Sequence, residues 1–257
     1  MSIPAAGWSF FPNFIKFSTR VTFAFVFLSL CTVLYLFLTF YMDSPPINLH
    51  ISHHYPKLSR YSSDMISQPP LFTQPHYKLV VLILSGAGYA ERRTTVRATW
   101  VTRVDHDNIA YFFMCFSSKS GDVRRSVHLE AEKYQDIVIF SAEDNYSNLT
   151  VHTISALEWA NSQLSFDFVM KTDDDSLLNV ESIITELMEK SNISYAGYIV
   201  PARRCVGGRF GNWVAQNGHK GTLNNWAHGA GYVLAQELVP RLLSHTTQVG
   251  LIPNEDV

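Results

Sequence analysis

The stretch FVMKTDDDSLLNV, residues 168–180, places three consecutive carboxylates just beyond an apolar run. The run itself, residues 166–170, has the composition of a buried strand. Asp173, Asp174 and Asp175 follow it almost at once. Neighbouring negative charges repel one another, so a cluster at the end of a buried strand needs compensating positive charge or hydrogen-bond donors. The pattern therefore favours a binding site over a plain solvated turn.

A divalent cation is one explanation for the aspartate cluster. Asp173 and Asp175 are two positions apart and can reach one ion directly or through water. Hard ions such as Mn²⁺ or Mg²⁺ prefer carboxylate oxygens and can in turn hold a diphosphate. The alternative is a helix cap, in which an aspartate or Ser176 accepts hydrogen bonds from the following helix. Lys171, just before the cluster, could face a phosphate or pair with an aspartate.

Strand-like and helix-like segments alternate from about residue 77 onward. This alternation predicts an α/β domain with a mainly parallel central sheet. In such sheets, ligands bind beyond the carboxyl ends of the strands, which is where the aspartates are expected. The predicted strands cover residues 77–85, 108–117, 136–142, 166–171 and 194–200. The predicted helices cover residues 90–101, 122–135, 148–164 and 180–190.

The N-terminal part of the chain has the pattern of a membrane anchor. Residues 21–42 contain no charged side chain, and their number exceeds the roughly 20 residues that a helix needs to cross a bilayer. Lys16 and Arg20 precede the segment, so the short N-terminus is expected in the cytosol and the rest in the lumen. A long signal peptide is the alternative. The predicted organisation is a cytoplasmic tail (1–20), a transmembrane signal anchor (21–42), a stem (43–76) and a folded domain (77–257).

Composition and candidate modification sites fit a lumenal domain. The formal net charge is -2 with no long run of one sign, which argues against nucleic acid as a partner. Cys115 and Cys205 could form one disulfide in an oxidising compartment, or remain two buried thiols. Three Asn-x-Ser/Thr sequons predict N-glycosylation at Asn145, Asn148 and Asn192.

Five motifs follow one another along the predicted domain. They are ERRTTVRATWV (91–101), DNYSNLTVHTISALEW (144–159), FDFVMKTDDDSLLNV (166–180), GAGYVLA (229–235) and EDV (255–257). Their order resembles the β-1,3-glycosyltransferases of glycosyltransferase family thirty-one, and most of all the galactosyltransferase of the proteoglycan linkage region. The resemblance implies a GT-A-like nucleotide-sugar fold, a UDP-sugar donor and Mn²⁺ as cofactor. It also implies residence in the Golgi membrane as a single-pass type II protein.

The resemblance assigns roles to the acidic residues. Asp175 is the expected direct metal ligand. Asp173 either joins it on the ion or, with Asp174, contacts the ribose or water of the bound donor. An inverting transferase also needs a carboxylate that takes the proton from the attacking sugar hydroxyl. The resemblance implies Asp256 for this role, with Glu255 as second choice.

The resemblance also implies basic and aromatic contacts. Arg93 and Arg97 match the arginine motif of the family, and a guanidinium suits the recognition of phosphate. Salt bridges on a helix surface are the alternative for both, and Arg92 is expected to be solvated. Residues 201–233, rich in Gly, Arg, Asn and Trp, are expected to form either an acceptor-binding loop or an ordinary long loop with core tryptophans. The tryptophans that would line an acceptor site are Trp213 and Trp226.

The implied reaction is inverting transfer of a hexose to the 3-hydroxyl of an acceptor glycan in protein glycosylation. Galactose is the first choice and N-acetylglucosamine the second. Members of the family continue beyond the EDV motif, so a chain that ends at Val257 is expected to be a fragment of such an enzyme. A shortened, inactive relative that binds a partner or folding client is the alternative. A phosphoryl-transfer enzyme is disfavoured, because SGAGYAERR (85–93) lacks a phosphate loop of the Walker type.

Overall fold

The computed structural model describes Thr32 and residues 63–71, 76–190, 192–200, 203–204, 222–223 and 225–246. The strands are β1 (Met65–Ser67), β2 (His76–Leu84), β3 (Ile109–Ser117), β4 (Ile137–Glu143), β5 (Ser165–Asp173), β6 (Tyr195–Val200), β7 (Arg203–Arg204), β8 (Thr222–Leu223) and β9 (Trp226–Ala235). The α-helices are α1 (Ala90–Ala98), α2 (Gly121–Tyr134), α3 (Leu149–Gln163), α4 (Val180–Glu189) and α5 (Leu238–His245). Short 3-10 helices span Trp100–Arg103 and Tyr146–Asn148.

Seven strands form one mixed sheet in the order β1-β4-β3-β2-β5-β9-β6. Strands β4, β3, β2 and β5 are parallel, and Leu82 of β2 lies beside Phe112 of β3 and Lys171 of β5. Strand β9 is antiparallel to β5 and β6, and β1 is antiparallel to β4. The α/β class and the parallel centre of the sheet are therefore confirmed.

Both faces of the sheet are covered, as continuous apolar strands require. Along β2, Leu79, Val81 and Ile83 pack on one face with residues of α1, α2 and α4. The alternating Val80 and Leu82 pack on the other face with residues of α3 and α5. All five side chains are at most 1% exposed. Each such burial contributes about 1.5–3 kcal/mol, so β2 is the centre of the hydrophobic core.

Local hydrogen bonds explain where two of the helices begin. Ser120 caps α2, since its Oγ accepts from the backbone N–H of Val123 at 3.4 Å. Asn179 caps α4 in the same way and accepts from the N–H of Ser182 at 3.1 Å. The alternative in which an aspartate or Ser176 caps this helix is therefore wrong. The aspartate cluster needs another explanation.

Two parts of the fold differ from the sequence predictions. Residues 226–233, expected within a loop, belong to β9, which inserts between β5 and β6. The predicted stem over 43–76 also contributes to the domain, because β1 pairs with β4 and Trp159 Nε1 donates to Gln68 Oε1 at 2.8 Å. Residues 63–71 thus belong to the folded domain rather than to a separate stem.

A membrane span is not found in the part of the chain that the structure describes, where no helix is both long and apolar enough. The anchor predicted over residues 21–42 lies outside that part, apart from Thr32. The cytoplasmic tail predicted over residues 1–20 lies outside it as well.

Candidate active site

Asp173 is the last residue of β5, Asp174 and Asp175 lie in the turn that follows, and each of the three has different surroundings. The turn is closed by the N–H of Ser176, which donates to the carbonyl of Asp173 at 3.2 Å. The side chain of Asp174 is only 5% exposed, whereas those of Asp173 and Asp175 are 39% and 65% exposed. The outer two carboxylates are therefore the ones that can meet a ligand.

Asp174 is held by the loop that follows β2. Ser85 Oγ lies 2.8 Å from Asp174 Oδ2 and 2.9 Å from Arg93 Nη1. A guanidinium only donates, so Ser85 accepts from Arg93 and gives its own proton to Asp174. The N–H of Asp174 also donates to the carbonyl of Leu84 at 3.2 Å. Asp174 thus makes a buried contact that joins the turn to β2, while its predicted contact with the ribose or water of a bound sugar donor stays a prediction.

Lys171 lies beneath the turn and pairs with Asp173. Its Nζ is 2.9 Å from Asp173 Oδ1 and 2.7 Å from the carbonyl oxygen of Gly229 on β9, and its side chain is 3% exposed. Of the two possibilities left open for Lys171, pairing with an aspartate is the one observed. Ser176 Oγ donates to the carbonyl of Ala230 at 3.0 Å, so β9 supports the turn from the side opposite β2.

Arg93, predicted to contact phosphate, is fully buried at 0% exposure. Its five N–H donors all have protein acceptors at 2.7–3.1 Å, so in this arrangement none is left for a diphosphate. Salt-bridge formation, the alternative, is observed, although in the interior rather than on a helix surface. The acceptors are both carboxylate oxygens of Glu130, Ser85 Oγ and the carbonyl oxygens of Gly86 and Ala87.

Arg97, the second predicted phosphate contact, is 12% exposed and also paired. It donates to both oxygens of Asp136 at 2.7 and 2.8 Å and to Glu130 Oε1 at 2.8 Å. Its guanidinium carbon lies 4.8 Å from the ring centre of Phe113 and 4.0 Å from that of Tyr134. Burial alone would lower the pKa of Arg97, but the two carboxylates raise it above its usual value. Arg97 therefore stabilises the packing of α1 against α2.

Arg92, which the sequence placed in solvent, is the arginine that reaches the aspartates. Its Nη1 donates to Asp174 Oδ1 at 2.9 Å and to Asp175 Oδ2 at 3.2 Å. The guanidinium carbon lies 4.5 Å from the ring centre of Tyr89, and the side chain remains 46% exposed. The hydrogen bond to Asp174 and the negative charge of that carboxylate raise the pKa of Arg92 above its usual value. The arginine motif therefore does contribute to the site, through a neighbour of the predicted residue.

The loops after β2 and β4 meet beside the turn. Asp144 Oδ2 accepts from the N–H of Ala87 at 2.9 Å. Gly86 is closely packed there, since a Cβ would lie 2.9 Å from the ring of Tyr89 and 3.3 Å from Asp144 Oδ2. Ser85 and Asp144 were not predicted as site residues, because single polar residues at the end of a strand have no diagnostic spacing. Their position just after predicted parallel strands was the one available signal.

The predicted base and acceptor contacts fall largely outside the described residues. Trp213, Glu255 and Asp256 are not among them. Trp226 is described, and it lies on β9 beside Val200 of β6 with 6% exposure. Trp226 is thus a core side chain, the alternative that the sequence left open, rather than an exposed surface for a sugar.

Metal binding by a preformed cage is not seen in the described part of the chain, which contains no suitable group of three or more His, Cys, Asp or Glu side chains. An ion at the turn would therefore combine oxygens of Asp173 and Asp175 with oxygens of the molecules that bind beside it. A cavity of about 630 Å³ opens at the opposite, amino-terminal edge of the sheet, next to His76 and Asp167. That cavity is separate from the aspartate turn.

Cys115 has a free thiol in the centre of β3. Complete burial raises its pKa to about 12, so the thiolate is strongly disfavoured at neutral pH. This matches the free-thiol alternative for Cys115. Cys205, its predicted partner, lies outside the described residues.

The sequon asparagines differ in accessibility. Asn145 is exposed, and its side-chain oxygen accepts from the N–H of Ser147 at 3.0 Å. Asn148 is half-buried, and its amide nitrogen donates to the carbonyl of Glu143 at 3.3 Å. Asn192 is exposed at a turn with a φ of 69°. Glycosylation stays a prediction at all three, and Asn145 and Asn192 are the more accessible sites.

The fold is that of an α/β protein, and its acidic turn lies at the carboxyl edge of the sheet, where ligands of such sheets generally bind. Residues 91–257, more than half of the chain, match the family model described as Galactosyltransferase. The chain belongs to the galactosyltransferase family.

Curated relatives agree with this membership. The chain is 29% identical to mouse beta-1,3-galactosyltransferase 5, over 70% of this chain and 60% of the relative. It is 30% identical to mouse beta-1,3-galactosyltransferase 6, over 70% of this chain and 58% of the relative. Hydroxyproline O-galactosyltransferase GALT2 of Arabidopsis thaliana is 27% identical over 81% of this chain and 31% of its own length. The predicted resemblance to β-1,3-galactosyltransferases is confirmed, although the chain spans only about three fifths of the mouse relatives.

Solved structures that match are more distant. The mannosyltransferase PcManGT from Pyrobaculum calidifontis, in complex with GDP-Man and Mn²⁺, is 18% identical with a TM-score of 0.34, over 68% of this chain and 50% of that one. The bifunctional glycosyltransferase WbbM is 11% identical with a TM-score of 0.35, over 70% of this chain and 35% of that one.

Proposed function

We propose that this chain forms part of an inverting hexosyltransferase of GT-A-like fold. It would transfer galactose, or as second choice N-acetylglucosamine, from a UDP-sugar to the 3-hydroxyl of an acceptor glycan. Membership of the galactosyltransferase family supports hexose transfer. The observation that carries the proposal is the exposed pair Asp173 and Asp175 at the carboxyl end of β5. Ligands of α/β sheets bind at this edge.

Asp173 and Asp175 fit a divalent ion such as Mn²⁺. Each has one oxygen near a cation, since Asp173 Oδ1 faces Lys171 and Asp175 Oδ2 faces Arg92. Within the described part of the chain, no side chain donates to the remaining oxygens, Asp173 Oδ2 and Asp175 Oδ1. These are hard, exposed ligands of the kind that Mn²⁺ and Mg²⁺ prefer. When bound, such an ion would stabilise the negative charge that develops on the departing diphosphate.

The other residues of the turn would hold the two carboxylates in place. Lys171 keeps Asp173 oriented from below, and Ser85 keeps the turn against β2 through Asp174. Asp256, with Glu255 as second choice, is proposed as the base that takes the proton from the attacking sugar hydroxyl.

Location in the Golgi membrane is part of the same proposal. The uncharged segment over residues 21–42 and the sequons support a single-pass type II protein with a lumenal catalytic domain. The expected partners are a UDP-sugar donor and a glycan or glycoprotein acceptor.

Substitution of Asp175 tests the proposed function. Asp175→Ala should reduce Mn²⁺-dependent transfer and hydrolysis of UDP-galactose at least about 100-fold, because the ion that would stabilise the developing charge loses a ligand. The midpoint of thermal unfolding should not change, since the side chain is 65% exposed. Asp107→Ala, at another exposed aspartate, is the matched control and should keep full activity. Normal turnover of Asp175→Ala would remove the metal role, and a parallel assay with UDP-N-acetylglucosamine decides the donor.

A further inference from the structure

Arg92 and Lys171 are the two cations of the aspartate turn, and they are held very differently. Lys171 is 3% exposed and is fixed between Asp173 and the carbonyl of Gly229. Arg92 is 46% exposed and contacts Asp174 and Asp175 through a single nitrogen, Nη1. Lys171 cannot move away from Asp173 without leaving a buried ammonium short of an acceptor, whereas Arg92 can move into solvent at little cost.

The two carboxylates that share Arg92 are also unequal. Asp174 is buried and has a second donor in Ser85, so its position does not depend on Arg92 alone. Asp175 is 65% exposed, and within the described residues Arg92 is the one side chain that donates to it. The contact between Arg92 and Asp175 is therefore the part of the cluster that can exchange.

Arg92 has further donors in reserve. A guanidinium carries five N–H groups, and both hydrogen bonds of Arg92 to carboxylates use Nη1. Its Nε and Nη2 make no hydrogen bond with the described residues. The ring of Tyr89, 4.5 Å from the guanidinium carbon, keeps the group over the turn. A planar fork of free donors at this position suits a diphosphate.

We propose that Arg92 is an exchangeable counter-ion of Asp175. It neutralises Asp175 before a divalent ion arrives, gives up this carboxylate to the ion, and then turns its free donors to the diphosphate of the donor substrate. The inference rests on the proposed function, because it assumes that a divalent ion and a nucleoside diphosphate bind at this turn. The inference adds that Arg92 opposes the binding of the divalent ion and assists the binding of the nucleoside diphosphate.

The opposite signs of these two effects provide the test. In Arg92→Gln, Mn²⁺ alone should bind about tenfold more tightly than in the wild type, because a competing positive charge close to the ion is removed. UDP, measured by calorimetry at saturating Mn²⁺, should bind about tenfold more weakly, because paired donors are lost. Free Mn²⁺ is followed by electron paramagnetic resonance. Arg103→Gln, at an exposed arginine for which the described chain shows no ion pair, is the matched control and should change neither affinity.

Arg92→Lys keeps the positive charge and provides a second variant. Its affinity for Mn²⁺ should stay within about twofold of the wild type, while UDP binding weakens because an ammonium cannot pair with two oxygens in parallel. If Arg92→Gln binds Mn²⁺ no more tightly than the wild type, the exchange is refuted and Arg92 is a structural residue. If the wild-type protein itself takes up no Mn²⁺, the proposed function fails, and the role of Arg92 fails with it.

Discussion

Replacement of Glu130 by alanine should reduce the free energy of unfolding by about 3–5 kcal/mol. Glu130 Oε1 accepts from Arg93 Nε at 3.0 Å and from Arg97 Nη1 at 2.8 Å, and its Oε2 accepts from Arg93 Nη2 at 2.7 Å. The substitution leaves Arg93, at 0% exposure, without any carboxylate partner. A buried charge that loses its partner costs far more than the pair contributed, because water cannot replace the lost acceptor.

Urea unfolding followed by tryptophan fluorescence measures this loss. Glu132→Ala, two positions along on the exposed side of the same helix, is the matched control and should cost less than about 0.5 kcal/mol. In the double variant Arg93→Met/Glu130→Leu, both charges are absent, so the loss should be smaller than the sum of the single losses. A loss below about 1 kcal/mol for Glu130→Ala would refute the reasoning, since Arg93 would then be compensated by something else.

The pH dependence of stability provides an independent check of the same cluster. Burial alone would raise the pKa of Glu130, but Arg93 and Arg97 outweigh it and hold the pKa below the ordinary value of 4.5. A carboxylate with a lowered pKa in the folded state contributes stability above the unfolded value, and this is lost as pH falls through the folded value. The wild type should therefore lose stability below pH 4.5, and Glu130→Gln should show a flatter dependence there.

Three further substitutions test other parts of the fold. Burial lowers the pKa of His152 below 6.5, so stability should fall as pH drops below that value, and His152→Phe should flatten the change in unfolding temperature between about pH 7.5 and about pH 5.5. Gly197→Ala should cost about 1–3 kcal/mol in the urea titration, because the new Cβ would lie 2.9 Å from the Cβ of Ala227. Gly231→Ala should cost less, since its Cβ would meet only the flexible tip of Met170 at 2.8 Å, and equal losses would contradict this contrast.

Most strands of the parallel centre could be predicted because burial on both faces leaves a continuous apolar run. The β9 strand could not, since residues 228–231 read His-Gly-Ala-Gly, which resembles a loop. Its place is determined by long-range pairing, with Thr172 of β5 beside Gly231. A glycine is needed at position 197 of the neighbouring β6, because a Cβ there would lie 2.9 Å from the Cβ of Ala227 on β9. Such a requirement depends on neighbours distant in sequence and cannot be seen in a local pattern.

The arginines show why the site was only partly predictable. A guanidinium binds carboxylate and phosphate with the same geometry, so the motif indicates a bidentate partner without saying which. Arg93 and Arg97 are four residues apart and lie on one helix face. Their partners Glu130 and Asp136 are more than 30 positions away in sequence, so this pairing is a product of the fold. Arg92, one position earlier, points to the neighbouring surface and reaches the aspartates instead.

Burial divides the charges of this edge into permanent and exchangeable ones. Arg93 has no solvent exposure and donates to Ser85, which donates in turn to Asp174, so the interior holds the base of the turn through one continuous chain of hydrogen bonds. Removing one partner of a buried ion pair, such as that of Arg93 with Glu130, costs several kcal/mol, which is a large part of the stability of a typical domain. Arg92 and Asp175 are exposed and screened by water, so their contact can be broken at little cost in stability. A site that must accept and release a charged ligand needs both kinds of contact, and in this turn the side-chain exposures separate them.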